Sequence, residues 1–452
     1  MDGRRHRRRL VSLAAPVYCE LLAGVAAGIV GMVWVAGLGG PAVAAVAVAT
    51  NVENVLLGVI LMAGSGTTVL VAGARGAGDA AAVRAAVRGG WAVWALVTPL
   101  VAVGGYLARE PLARLVLGGG GDALPLATAY FAVALPGMTV FFATNVVDGI
   151  LKGMGDTRTP MRLALLANGL ILVLDPLLVV GCGMGVQGAA TATVAGRSVA
   201  LAWGLLVLRG VAGGRHDGPA RWRGIVGDAR RTVAVGLPMS VDFVVRMAGS
   251  LALVGVVARI GVDEVAAYGI ATKGMYVATM AFYSVRQAAA IHTAHLLGAG
   301  REERRVVGRQ ALLVAGALGL TAALALPASA PWIMRAFGTG TGAVADAGTL
   351  YLRCLAPYLL LLACFIGVAG VCEGSGASPA LARITACGVA GQLALAYALS
   401  PYGLPGICAA MAAATAAQCV ALARVWSRVR ARPSPLLSGE RRTPRTRSKR
   451  RG

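Results

Sequence analysis

Residues 35–50, VAGLGGPAVAAVAVAT, recur 222 positions later at residues 257–272 as VARIGVDEVAAYGIAT. Eight of the sixteen aligned positions are identical, and the alignment needs no gap. The same offset pairs Pro16 with Pro238. An apolar unit written twice in one chain is typical of membrane transporters that are built around a central cleft.

The composition predicts a membrane protein. Of the 452 residues, 57% are hydrophobic and 13% are charged, and the mean hydropathy is +0.73. Apolar runs of about 20 residues recur, which is the length that crosses a bilayer core as a helix. Because backbone amides in hydrocarbon need partners within the segment, we expect these runs to be helices. The predicted fold class is all-α and integral to the membrane.

The apolar runs divide into twelve predicted spans, six in each repeat. Their approximate limits are 11–36, 43–72, 87–108, 123–151, 159–181, 186–209, 231–258, 264–296, 306–330, 341–372, 380–400 and 404–427. We expect two pseudo-symmetric six-helix bundles around a central cleft. The predicted organisation is a basic N-terminus at 1–10, one bundle at 11–209, a linker at 210–230, a second bundle at 231–427 and a disordered basic tail at 428–452.

The loop charges predict the orientation. Arginine and lysine residues fall in the N-terminal segment, the loops at 73–86, 152–158 and 297–305, the linker and the tail, and Lys152 is counted among them. The alternate loops carry few cations or none. Under the positive-inside rule both termini are cytoplasmic, and we expect a multi-pass protein of the cell's inner, or plasma, membrane.

Several classes of function are not favoured by the sequence. It has no phosphate-binding loop, no HExxH and no DDxxD sequence, so an ATP motor and a prenyl-phosphate enzyme are both disfavoured, and we expect a protein that is not an enzyme. The formal charge of +23 is spread over tethers and ends, which does not suit nucleic-acid binding. The eight cysteines form no CxxC pair, and we expect neither a cofactor nor a bound metal.

Ionisable residues inside the predicted spans are the candidates for function, because each costs about 2.5–3.5 kcal/mol to insert at the centre of a membrane helix. Asp175, beside Pro176, is interpreted either as a carboxylate that binds a coupling cation or as a cap at a helix end. Asp242 and Arg246 are one helical turn apart, so they either pair on one face or present both charges to a ligand.

Four further residues are candidates for the lining of the cleft. Glu20 and Glu53 lie in the first two spans, where they face the cleft or the cytoplasm. Asn145 and Asp148 share one face of the fourth span. The first repeat therefore contributes mainly acids and the second mainly bases, among them Lys273, Arg286 and Arg353.

Several segments resemble the multidrug and toxic compound extrusion family. The first repeat supplies KGMGDTRTP at Lys152–Pro160, ANGLILVLDPLLVVG at Ala167–Gly181 and GVQGAATATV at Gly185–Val194. The second supplies AYGIA at Ala267–Ala271, RQAAA at Arg286–Ala290, LGAGR at Leu297–Arg301 and LSPYGLPG at Leu399–Gly406. The similarity extends over about residues 10–428.

The resemblance implies a twelve-helix antiporter that alternates between two open states and exchanges H⁺ or Na⁺ for amphiphilic compounds. Asp175 matches a carboxylate linked to proton coupling in some members, and Asn168 stands near the position of a frequent asparagine, which Ile171 occupies here. Two other positions depart from the family: Gly31 replaces a frequent acid, and Arg246 replaces a frequent glutamate. A fixed arginine would favour anionic or zwitterionic substrates.

Two transport functions follow as hypotheses. The first is ion-driven efflux of drugs or amphiphilic metabolites, which would confer antibiotic resistance or secrete a product. The second is a flippase for a lipid-linked precursor, which needs cations gathered in one shared cavity. The expected partners are a small amphiphilic substrate and membrane lipid, without nucleic acid, and the expected state is a monomer.

Overall fold

The computed structural model describes residues 2–117, 121–211, 222–336 and 342–431. These residues form fifteen α-helices: α1 (Asp2–Ala36), α2 (Gly40–Gly76), α3 (Ala80–Pro99), α4 (Gly105–Leu107), α5 (Arg109–Leu117), α6 (Ala123–Gly153), α7 (Arg158–Pro176), α8 (Gly185–Val211), α9 (Trp222–Val257), α10 (Val262–Gly298), α11 (Arg304–Ala336), α12 (Ala343–Cys354), α13 (Ala356–Gly374), α14 (Ser378–Leu399) and α15 (Gly403–Ala431). The prediction of an all-α fold is confirmed.

Two helices continue into short π-helical segments immediately after a proline. Leu100–Gly104 follows Pro99 at the end of α3, and Leu177–Gly181 follows Pro176 at the end of α7. A proline inside a helix has no N–H to donate and its ring displaces the preceding turn, so the regular hydrogen-bond ladder is broken there. The helix geometry therefore changes directly beside Asp175.

The ends of several helices differ from the predicted limits. The segment predicted as a separate basic N-terminus, 1–10, is helical from Asp2 and continuous with α1, with His6 and Leu10 buried. Of the predicted linker, residues 222–230 belong to α9, while 212–221 lie outside the described residues. The predicted tail begins as the end of α15, and the rest of it, 432–452, also lies outside them.

Within the described ranges, ten segments are long and apolar enough to cross a membrane, against the twelve that were predicted. One of the ten, Ser378–Ser427, contains both α14 and α15, which are joined by a short turn. Helix α10 is not among the ten, and it carries Lys273, Arg286, His292 and His295 along its 37 residues.

The helix contacts repeat between the two halves of the chain. Helix α2 packs on α6, α6 on α8 and α7 on α8; in the second half α10 packs on α13, α13 on α15 and α14 on α15. Contacts between the halves are matched as well. Helix α1 lies against α10 and α11, while α9, its counterpart by sequence offset, lies against α2 and α3.

One of the close contacts between the halves is the crossing of α2 with α10. A Cβ on Gly76 would overlap the backbone carbonyl of His295, and a Cβ on Gly298 would overlap that of Gly73. In the repeat alignment, the offset of 222 pairs Gly73 with His295 and Gly76 with Gly298, so the two contacts are equivalent by the repeat. Glycine permits this approach because it has no side chain.

The halves pack together mainly at one end of the helices. We call this end the basic face, since it carries the start of α1 and the turns after α2, α6 and α10. Its buried cluster joins Leu10, Val69 and Ala72 of the first half to residues of the second. Toward the opposite end, Ala42 and Ala49 of α2 belong to a cluster formed by first-half residues alone.

We expect Gly298→Ala to destabilise the protein, because the new methyl group overlaps the backbone of α2. Overpacking of this kind costs about 1–3 kcal/mol. Gly269→Ala in the same helix is the matched control, since a Cβ there meets no atom within 4 Å. Thermal unfolding in detergent measures both. Equal melting temperatures for the two variants would contradict the close crossing.

Candidate functional site

The largest group of buried charges joins four helices of the second half. We call it the arginine network; it consists of Asp242 on α9, Arg246 on α9, Arg286 on α10, Glu373 on α13 and Thr385 on α14. The Arg286 guanidinium lies at its centre, with one nitrogen 2.6 Å from Asp242 Oδ2 and 2.5 Å from Glu373 Oε1. Its Nε donates a second bond to Glu373, at 3.1 Å.

Asp242 closes the other side of the network. It accepts a bond from Arg246 Nε at 3.2 Å and another from the Thr385 hydroxyl. Two guanidinium groups face two carboxylates, so the formal charges balance. A buried ion pair tolerates the loss of hydration only when its remaining polar atoms are also hydrogen-bonded, and this network provides such partners.

The sequence left open whether Asp242 and Arg246 pair, and the structure pairs them. It also adds Glu373, which the sequence analysis did not select as a site residue. Glu373 is 3% exposed in the last turn of α13. Its counterpart in the repeat is Lys152, one residue before the glycine of each turn, and that correspondence was the available signal.

Asp175 stands apart from the arginine network, in the first half. It is 3% exposed on α7, and its Oδ1 atom has no hydrogen-bond partner among the described residues. Its Oδ2 atom faces α1, where a Cβ on Gly31 would lie 3.1 Å away. The position at which the family often has a second acid is therefore in contact with Asp175, but glycine occupies it here.

Glu53 belongs to another first-half group. Its electrostatic partners are Arg197 on α8 and Tyr130 on α6. The Arg197 guanidinium also lies over the Phe141 ring, 4.0 Å from its centre, which is the geometry of a cation–π contact. This arginine is therefore held between a carboxylate and an aromatic face.

A third first-half group lies nearer the basic face. Lys152 Nζ is 2.7 Å from Glu20 Oε1, which joins α6 to α1. Asp148 lies one turn before Lys152, and one oxygen of each carboxyl is buried without a hydrogen-bond partner. Lys152 was counted as a loop cation, and that prediction was wrong: it is 8% exposed in α6, because the helix extends to Gly153.

Within the described ranges, neither candidate asparagine is hydrogen-bonded to these acids. Asn145 donates its amide to the carbonyl of Phe141 in its own helix, at 3.0 Å. Asn168 is half-buried on α7, two turns before Asp175 and therefore on the same face of the helix.

The structure therefore places the candidate acids in separate groups. Asp175 and Glu53 share Tyr130 as an electrostatic neighbour, Glu20 and Asp148 lie together with Lys152, and Asp242 is tied to the arginines of the second half. The second half is also less basic inside than its sequence suggests, because Glu373 and Asp242 balance Arg286 and Arg246.

A duplicated helical membrane protein with charges held inside each half is the architecture of a secondary transporter. The chain belongs to the MatE family, whose model matches residues 16–177 and 238–398, one match in each repeat. The resemblance seen in the sequence is thereby confirmed, and the protein is an all-helical, multi-pass membrane protein of this family.

Two relatives illustrate the similarity. The chain is 24% identical over 303 residues to the probable multidrug resistance protein YpnP of Bacillus subtilis (strain 168), an alignment that covers 66% of each chain. It is 29% identical over 289 residues to the probable multidrug resistance protein NorM of Thermotoga maritima, covering 61% of this chain and 59% of that one. These alignments thus span just under two thirds of the relatives.

The fold is also that of solved structures. One, described as the outward-facing conformation of a multidrug resistance MATE family transporter of the MOP superfamily, superposes with a TM-score of 0.87. Its sequence is 23% identical, and the match covers 94% of this chain and 96% of that one.

We expect Arg286→Gln to lower stability strongly, because it leaves Glu373 without its arginine and removes one of the two arginines that bind Asp242. Removing one partner of a buried ion pair costs about 3–5 kcal/mol. Lys273→Gln is the control, since this exposed lysine of α10 has no ion pair among the described residues. Thermal unfolding compares them. The double variant with Glu373→Gln should recover part of the loss, and strictly additive effects would contradict the network.

Proposed function

We propose that this protein exports amphiphilic small molecules from the cell by alternating access, in exchange for H⁺ or Na⁺. Family membership and the named relatives support transport of this kind. The observation on which the coupling proposal depends is the buried, partly unpartnered carboxyl of Asp175.

The proposed architecture is twelve spans in two six-helix bundles. The spans of one bundle are α1, α2, α3, α6, α7 and α8. In the other bundle α12 and α13 together form one span, and the remaining five are α9, α10, α11, α14 and α15. The matching helix contacts within each half and the reciprocal α2–α10 crossing support a pseudo-two-fold axis between the bundles. Helix α10 is included because it is 37 residues long and shares the buried interior of the second half.

We assign the basic face to the cytoplasm, since arginine and lysine are retained on that side of membrane proteins. Contacts between the halves then concentrate at the cytoplasmic end, where Gly66 meets Thr232 and Gly236, and Gly76 meets His295. Packing of this kind closes the cytoplasmic end of the cleft, so the conformation is open to the outside. Transport requires these contacts to separate.

Asp175 is the proposed coupling residue. An ionised carboxylate that is buried with one oxygen unpartnered is costly, and binding a cation offsets that cost. Pro176 supplies a second oxygen for such a cation. It has no N–H to donate to the carbonyl of Leu172, so that carbonyl is available near Asp175. Gly31 gives Asp175 no second carboxylate, so the site holds one negative charge, which a single H⁺ or Na⁺ neutralises.

The arginine network is not proposed as a coupling site. Its carboxylates already hold two guanidinium groups at hydrogen-bond distance, and arginine does not release its proton in proteins. A second cation has no free charge to bind there. Because Arg246 is paired, it also loses the role, suggested by the sequence, of attracting anionic substrates.

The same observation bears on the flippase alternative. That function needs cations exposed together in one cavity, yet Arg246 and Arg286 are engaged by carboxylates. Lys273 and Arg353 are exposed on different helices, α10 and α12. We therefore favour efflux of neutral or cationic amphiphiles by a monomer in the plasma membrane. In this proposal the first-half residues that adjust to substrate or ion are Glu20, Glu53, Asn145, Asp148 and Asn168.

We expect Asp175→Asn to keep the protein folded and to abolish efflux driven by an ion gradient. The amide has nearly the shape of the carboxyl but carries no charge to exchange. The measurement is export of the cationic dye ethidium from cells that express the chain, with and without an uncoupler, followed by proteoliposomes with an imposed H⁺ or Na⁺ gradient.

Asp263→Asn, at the exposed start of α10, is the matched control and should transport normally. If Asp175→Asn exports dye as fast as the control, Asp175 is not the coupling residue. If neither gradient drives export by the unmodified protein, antiport itself is wrong.

A further inference from the structure

A concave basic surface lies at the junction of the two halves, on the basic face. It encloses a cavity of about 600 Å³ between the first turns of α1, the last turns of α10 and the turn after α10. We call it the basic pocket; its lining includes Arg5, Arg8, Arg9, His292, His295 and Arg301. None of these residues belongs to the coupling site or to the arginine network.

The α1 side of the basic pocket is a regular helical stripe. Arg5, Arg8, Arg9 and Ser12 stand at positions i, i+3, i+4 and i+7, so one face of the helix presents three guanidinium groups and a hydroxyl. Arg4 and Arg7 on the same helix are exposed but do not line the cavity.

Among the described residues, the positive charge of the pocket is only partly balanced. Glu303 is the acid at its edge, and it is already engaged: its Oε2 lies 2.9 Å from His6 Nε2 and its Oε1 lies 2.5 Å from Arg301 Nη2. Across the described ranges, no carboxylate comes within 4 Å of Arg5, Arg8 or Arg9. Arg5, Arg8 and Arg9 of α1 therefore face Arg301, in the turn after α10, across the cavity.

The pocket is also where the two halves touch. His6 Nδ1 on α1 lies 2.9 Å from His292 Nε2 on α10, and His6 is buried. An anion placed between the arginines of α1 and Arg301 would reduce their repulsion and add bonds to both sides of the junction. It would bind this closed arrangement better than one in which α1 and α10 have separated, and a ligand shifts an equilibrium by that difference in affinity.

We propose that the basic pocket binds a phosphate group, and that the bound anion clamps α1 to α10 and holds the basic face closed. Arginine is suited to this ligand because its planar fork of donors matches phosphate oxygens. The cavity volume suits a pyrophosphate group or a lipid headgroup. The clamping role depends on the proposed transport cycle, whereas the binding site does not.

The test uses the purified full-length chain in neutral detergent without phosphate. Inorganic pyrophosphate is titrated at constant ionic strength, and binding is followed by the rise in melting temperature. A second arm compares nanodiscs of phosphatidylcholine with nanodiscs that also contain phosphatidylglycerol. A response to pyrophosphate identifies a soluble source for the phosphate, and a response to phosphatidylglycerol alone identifies a lipid headgroup; either supports the site.

The variants Arg5→Gln/Arg8→Gln and Arg4→Gln/Arg7→Gln each remove two arginines from the same helix, so their effects on net charge and on membrane orientation are matched. We expect the first pair to weaken binding by about tenfold or more, since two charge-assisted contacts are lost, and the second to bind as the unmodified protein does. Equal affinity in the two variants, or no response to either probe, overturns the site.

The clamp has its own measurement. Bound anion should slow amide hydrogen exchange in residues 3–12 and 291–301 together, because both sides of the junction are held. Binding without this joint protection would overturn the clamp and leave a simple surface site. Since none of these measurements requires transport, failure of the efflux proposal would be seen separately, in the dye assay.

Discussion

The close crossing of α2 with α10 is one of the contacts that hold the two halves together. Apolar helices gain little from leaving lipid for one another, so their association relies on close packing. At this crossing the backbones meet at Gly73, Gly76 and Gly298, and a single methyl group would prevent the approach. The contact is reciprocal, as expected when a duplicated unit packs against its own copy about a two-fold axis.

In the proposed transport cycle, the end of the molecule that holds this crossing is where the halves separate. The contacts that join the halves lie toward the basic face, whereas Ala42 and Ala49, near the other end of α2, pack only within their own half. In the proposed transport cycle the protein opens by separating these glycine-lined surfaces, where the backbones themselves are in contact. The charged and polar contacts at the same end, such as His6 with His292 and Arg88 with Asp228, are then the ones that regulate separation.

The two halves use buried charge in different ways. In the second half the buried charges are paired: each carboxylate of the arginine network has a guanidinium partner. These contacts, with the Thr385 hydroxyl, connect α9, α10, α13 and α14. In the first half, Asp175 and Asp148 each retain a buried oxygen that has no hydrogen-bond partner in the part of the chain that the structure describes. A charge-balanced group stabilises one structure, while an incomplete one is able to respond to a cation. Function by ion exchange is therefore expected in the first half.

The sequence by itself determined the membrane class, the duplication and the family, because apolar run length, repeat offset and the GDT and LDP motifs are local properties of the chain. It also gave the four-residue spacing of Asp242 and Arg246. Only the tertiary structure decided which charges meet. Glu373 and Arg286 are 87 residues apart, Lys152 and Glu20 are 132 apart, and His6 and His292 are 286 apart. Such pairs follow from how the helices pack, and no spacing along one helix encodes them.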